Sequence, residues 1–207
     1  MLKKYLIIAA GLIILVGILF TAYHFLLPHG PDLRKYEFLR EPRFTYLPDQ
    51  KMIEVRAIGD PNIVGREAFG ALFKAYFQLN RSAKNLALTA PRARWPRLPE
   101  TPRAEWMGIY GMPVPKAVSA LPEQDSRAAI KVELTMWEYG EVAEILHVGP
   151  YAEEKSTIEK LHAFIEKRGY EIIGPHEEEY LKGPGVFLRG DPKDYYTILR
   201  YRVRKLM

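Results

Sequence analysis

Apolar residues after residue 50 recur with the periods of strands and helices, in an order that occurs twice. In the first stretch, Phe69, Leu72 and Tyr76 lie at i, i+3 and i+7, the spacing of one helix face. A loop rich in proline and arginine then separates this helix pattern from a strand-like segment. The first stretch therefore predicts a strand at 52–58, a helix at about 64–79, a connector at 91–103 and a strand at 106–110.

The residues from 130 onward follow the same order. Ile158, Leu161 and Ile165 again have the spacing of one helix face. Pro150 suits the first turn of this helix, and Gly169 stands where a left-handed residue is needed after the last turn. Around the helix, the pattern predicts strand-like segments at 130–134, 142–148, 170–173, 178–181 and 196–203.

The two helix patterns lie 89 positions apart, which indicates a duplicated β-α-β-β unit. One such unit is too small to bury a core on both faces, so we expect the two units to join their sheets. The sequence therefore predicts an α+β domain at 51–207, with repeat one at about 51–115 and repeat two at about 128–204.

The N-terminal segment has the character of a membrane helix. Residues 5–27 contain no Asp, Glu, Lys or Arg, and this length of helix spans about 34 Å, enough to cross a bilayer core. We predict a single transmembrane anchor at 1–30, followed by a juxtamembrane linker at 31–50. The alternative is a cleavable signal peptide, but Phe20-Thr21-Ala22 is a poor cleavage site and the apolar run is long for one.

The charges on the two sides of this segment give conflicting indications of its orientation in the membrane. Lys3 and Lys4 favour a cytoplasmic N-terminus, while four basic residues come soon after the apolar run: Arg34, Lys35, Arg40 and Arg43. Signal anchors with short positive N-terminal tails usually translocate the domain that is C-terminal to them. We therefore expect a single-pass membrane protein whose domain lies outside the cytoplasm.

Composition narrows the chemistry of the domain. The 207 residues include no Cys, which excludes disulfides, thiol nucleophiles, zinc-thiolate sites and iron–sulfur clusters. No HExxH, G-x-S-x-G or glycine-rich phosphate loop occurs, and His147 and His162 are expected to be structural. The sequence therefore predicts no metal and no cofactor.

The arginine-rich connector has a mild positive charge, in a chain of net charge +5. It contains Arg92, Arg94, Arg97 and Arg103 around Trp95. We interpret it as a solvated connector, with contact to lipid headgroups or to a partner protein as the alternative. Binding to nucleic acid is not expected.

A predicted acidic strand contains Glu178, the strongest candidate for a functional side chain. With a period of two, His176, Glu178 and Tyr180 share one face, while Glu177 and Glu179 share the other. If the first face lines a groove, Glu178 would place a carboxylate among aromatic rings, where it could attract a lipophilic cation or act as an acid or base. The alternative is a solvated acidic strand edge.

Aromatic residues supply the walls of such a groove. Trp106, Tyr110, Tyr151 and Tyr180 are the candidates, because ring faces hold flat hydrophobic ligands and stabilise cations. Their alternative role is core packing.

Four segments of the second half together resemble the GyrI-like small-molecule-binding family. They are Leu146-His147-Val148-Gly149-Pro150-Tyr151, residues 158–165, His176-Glu177-Glu178-Glu179-Tyr180-Leu181, and residues 197–203. The resemblance covers about 130–203 well and 51–115 more weakly. It implies two SHS2-like β-α-β-β repeats around a pseudo-two-fold axis, with a ligand groove between them.

The resemblance also implies roles for two residues. Glu178 matches the family's groove glutamate, and Glu178 with Tyr180 matches the Glu/Tyr pair of those members that hydrolyse cyclopropane-bearing genotoxins. Two features differ from the family: residues 182–190 lengthen a loop, and no helix-turn-helix pattern precedes Met52.

Together these features predict a membrane-anchored protein that binds a hydrophobic or cationic small molecule in the groove. The predicted ligand-binding residues are Trp106, Tyr110, Tyr151, His176, Glu178 and Tyr180. Two alternatives stay open: an accessory subunit of a membrane complex with a filled groove, and a hydrolase in which Glu178 and Tyr180 are catalytic.

Overall fold

The computed structural model describes residues 32–83, 86, 88–96, 102–125, 127–184 and 190–207. The chain divides into two compact units, Met1–Asp32 and Leu33–Met207, and every element described below belongs to the second. The predicted anchor at 5–27 lies outside the described residues. Within the described residues, no helix combines the length and apolar character needed to cross a membrane.

The described part of the second unit contains nine strands and two α-helices. The strands are β1 (Arg43–Leu47), β2 (Gln50–Ile58), β3 (Arg92–Trp95), β4 (Met107–Pro113), β5 (Glu133–Trp137), β6 (Gly140–Val148), β7 (Tyr170–Ile172), β8 (His176–Lys182) and β9 (Tyr196–Lys205), and the helices are α1 (Pro61–Ala83) and α2 (Lys155–Lys167).

Eight strands form one sheet in the order β1-β6-β9-β8-β3-β4-β2-β5, and β7 adds to β9. All the pairs are antiparallel. Two β-α-β-β units, β2-α1-β3-β4 and β6-α2-β8-β9, meet at the β3–β8 pair, which we call the seam. The predicted α+β class is confirmed.

The sheet curls so that its two ends approach each other. β1 and β2 are consecutive in sequence, yet they stand near opposite ends of the strand order. The backbone N–H of Tyr139, between β5 and β6, donates to Asp49 Oδ1 between β1 and β2 at 3.0 Å. This curvature leaves a convex face for the helices and a concave face enclosed by the sheet itself.

Both helices pack through equivalent residues. Leu72 on α1 and Leu161 on α2 are fully buried, in two separate hydrophobic clusters. Gly169 ends α2 with φ +73°, the left-handed conformation that the sequence predicted for it. The duplicated pattern therefore places one amphipathic helix over each half of the sheet.

The region predicted as a linker at 31–50 contributes to the sheet. Residues Leu33–Arg40 form a 3-10 helix with Leu39 buried, and β1 pairs with β6. Phe44 stacks on Tyr170, with ring centroids 4.1 Å apart. The sequence pattern does not reveal this strand, because its half-buried residues Phe44, Thr45 and Leu47 do not alternate with exposed ones.

The arginine-rich connector contains a strand that the sequence pattern does not predict. β3 pairs with β4 on one side and with β8 on the other, so it forms half of the seam. Ala93 and Trp95 are buried on one face, while Arg92 and Arg94 pair with carboxylates on the other. The interpretation of Arg92 and Arg94 as part of a solvated connector is therefore wrong, and so is the alternative of a lipid contact.

Candidate functional site

The two faces of β8 carry different chemistry, as the period of two requires. The side chains of His176, Glu178 and Tyr180 contact one another on the convex face. Glu177 and Glu179 point to the concave face, where both contact Arg200. The pairing of Ala93 with Glu178 places this carboxylate at the seam, where the two repeats meet.

Each carboxyl oxygen of Glu178 has a side-chain partner. The Tyr180 hydroxyl donates to Glu178 Oε2 at 2.5 Å, and His176 Nε2 lies 3.2 Å from Oε1. His176 Nδ1 in turn lies 2.9 Å from the Tyr201 hydroxyl, which fixes the ring. Among the described residues, no Lys or Arg lies within salt-bridge distance of Glu178, so the basic side chain that contacts it is that of His176.

A second carboxyl group, that of Glu154, completes the cluster. Glu154 stands immediately before α2 and is 6% exposed, and its Oε1 is buried without a hydrogen-bond partner among the described residues. One of its carboxyl oxygens lies within 4.8 Å of the donor atoms of His176 and Glu178. Burial, and then the charge of Glu178, raise the pKa of Glu154 from 4.5 to about 9.

Sequence reasoning missed Glu154 because a glutamate at the start of a helix is ordinarily solvated. Its separation from Glu178 along the chain also conceals the contact. The one available signal is its position three residues after Tyr151, which the sequence predicts as a wall of the groove.

Aromatic rings surround the carboxylates. The Tyr180 ring packs edge-on against Phe69 of α1 at 5.7 Å and against Tyr151 at 5.6 Å. Phe69 also meets Tyr110 edge-on at 5.1 Å. We use the name seam groove for the cluster of Phe69, Tyr110, Tyr151, Glu178 and Tyr180, whose rings pack against one another. The sequence indicates Phe69 only as a helix-face residue, because its spacing gives no sign that it reaches β8.

The phenols of this wall remain protonated at neutral pH. Burial, followed by the charge of Glu178, raises the pKa of Tyr110 to about 12. The same two causes raise the pKa of Tyr180 well above its usual value. Each tyrosine therefore presents a neutral ring and a hydroxyl donor rather than a phenolate.

Two glycines make room for the wall. A Cβ on Gly108 would lie 2.6 Å from the ring of Tyr110, and a Cβ on Gly183 would lie 2.6 Å from the Tyr151 hydroxyl. Any side chain at Gly108 would push the Tyr110 ring out of its position, because the two residues share one face of β4.

Trp106 is the one predicted wall residue that the structure does not bring next to Glu178. It packs edge-on against Trp95 at 6.2 Å, and Trp95 in turn packs against Tyr110 at 5.8 Å. Trp106 therefore supports the groove wall through another ring. Tyr151 is 37% exposed and so lies at the solvent side of the cluster.

The concave face is a buried ion-pair network. Arg200 contacts three carboxylates, those of Glu144 at 3.0 Å, Glu177 at 2.7 Å and Glu179 at 3.2 Å. Burial alone would raise the pKa of Glu177, but Arg200 and Arg94 lower it overall. A solvated acidic edge is therefore wrong for Glu177 and Glu179, and these carboxylates serve stability.

Two cavities lie away from the seam groove. One of about 10 Å³ is enclosed by Arg94, Tyr139, Glu177 and Arg200 on the concave face. A shallow one of about 330 Å³ opens beside α2 and is lined in part by His147. In the seam groove itself the ring of Tyr180 contacts both Phe69 and Tyr151, so a ligand must displace a ring to reach Glu178.

Glu154, His176 and Glu178 carry donor atoms of types that metal ions accept. We do not assign them as metal ligands, because the rest of the wall is aromatic. Aromatic faces suit an organic cation, whereas hard divalent ions prefer a shell of oxygen donors and water.

Comparison with known proteins identifies the fold. No protein-family model and no curated protein matches the chain. Among solved structures, an uncharacterized conserved protein from Listeria innocua is 23% identical with a TM-score of 0.69, and the match covers 84% of this chain and 97% of that one. The C-terminal domain of EcmrR is 14% identical with a TM-score of 0.54, covering 80% and 98%. The fold is GyrI-like.

A third solved structure, described as a hydrolase from Listeria innocua, is 22% identical with a TM-score of 0.67. That match covers 85% of this chain and all of the other, 100%. At these identities the likeness extends to the GyrI-like fold alone. The seam groove lies where the two repeats of this fold meet.

Proposed function

We propose that the protein binds a small hydrophobic molecule with a positive charge in the seam groove. The observation that carries this proposal is the contrast between the two faces of β8. Glu177 and Glu179 both have arginine partners, whereas Glu178 faces rings, a histidine and a second carboxyl group. An ionised carboxylate removed from water without a cationic partner is costly, so a ligand that supplies the cation offsets this cost.

The wall chemistry supports the same ligand class. Tyr110, Tyr151 and Tyr180 offer ring faces for a cationic centre, and Phe69 adds apolar surface. At an effective dielectric constant of about 20 to 30, a cation about 5 Å from Glu178 gains roughly 2 to 3 kcal/mol. Binding to wild type in the micromolar range, about −8 kcal/mol, is the expected result.

The test uses a rhodamine-type cationic dye and the full chain, with binding followed by fluorescence anisotropy. Glu178→Gln keeps the shape and removes the charge, so we expect binding roughly 30-fold or more weaker. A neutral dye of matched size should bind both proteins equally. Glu166→Gln, on the exposed surface of α2, is the control for unspecific charge effects. Equal losses in Glu166→Gln and Glu178→Gln would contradict the proposal.

Membrane attachment is part of this proposal. Residues 5–27 would hold the domain at a membrane, outside the cytoplasm. Full-length protein should stay with the membrane fraction after carbonate washing, and protease added outside intact cells should degrade the domain. Recovery of a shortened chain in the soluble fraction would favour the signal-peptide alternative.

A hydrolase is the second candidate, favoured by the paired carboxyl groups. Glu154 holds a proton at neutral pH beside the carboxylate of Glu178, and two carboxyl groups in different protonation states provide an acid and a base. In this alternative Glu178 would activate water and Tyr180 would orient it. Turnover of ester or strained-ring substrates that disappears in Glu178→Gln would support this candidate. If neither binding nor turnover occurs, the rings simply fill the groove and the accessory-subunit alternative becomes the better one.

A further inference from the structure

Glu154 is the titratable group at the seam that the proposed function leaves without a role. The residue is only 6% exposed, yet its Oε1 has no partner among the described residues. A native structure rarely leaves a buried carboxyl oxygen unsatisfied without a reason. A carboxyl oxygen of Glu154 also lies within 4.8 Å of one of Glu178, in the same cluster.

The groups that face Glu154 include no Lys or Arg among the described residues. From β8 they are Glu178 and His176, with Tyr180 beside them, from β9 Tyr201, and from its own segment Tyr151. Of these, Glu178 has the strongest effect after burial itself. Two carboxylates this close cannot both ionise cheaply in surroundings of low dielectric constant.

We propose that Glu154 is a second ligand-binding residue, which holds a proton in the ligand-free protein and releases it when the cationic centre of a ligand enters the groove. This inference rests on the proposed function and names the chemistry of its ligand more closely. The cation then lies between two carboxylates, and each carboxylate loses the repulsion of the other.

The exchange of a proton for a cation accounts for the unsatisfied oxygen. Without ligand, the proton keeps Glu154 neutral and avoids a second buried charge, and its pKa of about 9 describes this state. With an organic cation bound, Glu154 Oε1 gains the partner that it lacks. A neutral ligand provides no such gain, so the pair of carboxyl groups selects for positive charge.

The exchange has a defined dependence on pH. Binding that releases one proton strengthens as pH rises, by up to tenfold per unit, until the free protein itself loses that proton near pH 9. For a dye that stays a monocation throughout, we expect affinity to increase by about 10- to 100-fold between about pH 6 and about pH 8. In Glu154→Gln the affinity should be nearly independent of pH over this range.

The test is isothermal titration calorimetry of the full chain with a rhodamine-type cationic dye, in chelator-treated buffers near neutral pH. Titrations in buffers with different ionisation enthalpies give the number of protons released per dye. Wild type should release about one and Glu154→Gln about none, while Glu153→Gln, its exposed neighbour, should behave as wild type.

The outcomes separate this inference from the function on which it rests. Dye binding without proton release in wild type, or with equal release in Glu154→Gln, overturns the role of Glu154 and leaves the cation-binding function standing. Absence of dye binding in wild type overturns the function and this inference with it. If Glu154→Gln fails to fold, dye binding without proton release in the wild-type buffer series still overturns the role of Glu154.

Discussion

The buried carboxyl of Glu154 makes the stability of the ligand-free protein depend on pH in a predictable direction. The perturbation is Glu154→Gln, which keeps the size of the side chain and removes its titration. Because the folded protein holds the proton up to about pH 9 and an unfolded glutamate ionises near 4.5, the folded state binds more protons between these values. The free energy of unfolding contributed by Glu154 is therefore full below pH 4.5 and is lost as pH rises toward 9.

The magnitude follows from proton linkage. A difference of one bound proton changes the free energy of unfolding by about 1.4 kcal/mol per pH unit. From about pH 5.5 to about pH 8.5, wild type should thus lose about 4 kcal/mol relative to Glu154→Gln. Glutamine has no such titration, so the variant should overtake wild type as the pH increases.

The assay is urea unfolding of both proteins across this range, with Glu153→Gln as an exposed control that should stay parallel to wild type. The difference between variant and wild type cancels the titration of the groups that do not interact with Glu154, including those of the ion-pair network. A difference that stays constant from about pH 5.5 to about pH 8.5 would refute the raised pKa of Glu154 and the burial argument behind it.

Further predictions concern packing, charge and shape. Leu161→Ala and Leu72→Ala should each lower the free energy of unfolding by about 2–5 kcal/mol in urea titrations, since both are fully buried, and a near-neutral effect at either would contradict the helix-face assignment. Arg200→Met should cost about 3–5 kcal/mol, because it leaves three carboxylates buried without their shared partner, and an unchanged stability would show that water reaches them. Gly108→Ala should displace the Tyr110 ring in the wall of the groove. We expect it to lower the free energy of dye binding by more than it lowers the free energy of unfolding.

Much of the architecture was open to prediction because it depends on local periodicity. The spacing of Leu72 and Leu161 identified both helices and the duplication, and Gly169 marked the end of α2. Element bounds differed where the pattern was weak: β5 is observed at Glu133–Trp137 rather than at 130–134. The strands at 43–47 and 92–95 escaped prediction, because both are short, contain arginine and are flanked on each side by a proline.

The same limit applies to the site. The common face of His176, Glu178 and Tyr180 follows from a period of two, because these residues are close in the chain, whereas Tyr110 and Tyr151 were proposed from their aromatic character. Glu154 and Phe69 reach the groove only because α1 and the segment that precedes α2 pack against the sheet. Periodicity assigns a residue to a face of its own helix or strand, but the facing residue of another element depends on packing.

The three consecutive glutamates of β8 have very different surroundings. Glu177 and Glu179 face Arg200 on the concave side, where arginines satisfy them, so replacing either with glutamine should destabilise the fold. Glu178 faces the seam, where Tyr180 and His176 contact it and no Lys or Arg of the described residues pairs with it. In the function that we propose, a cationic ligand supplies the positive charge that arginines provide to the other two glutamates.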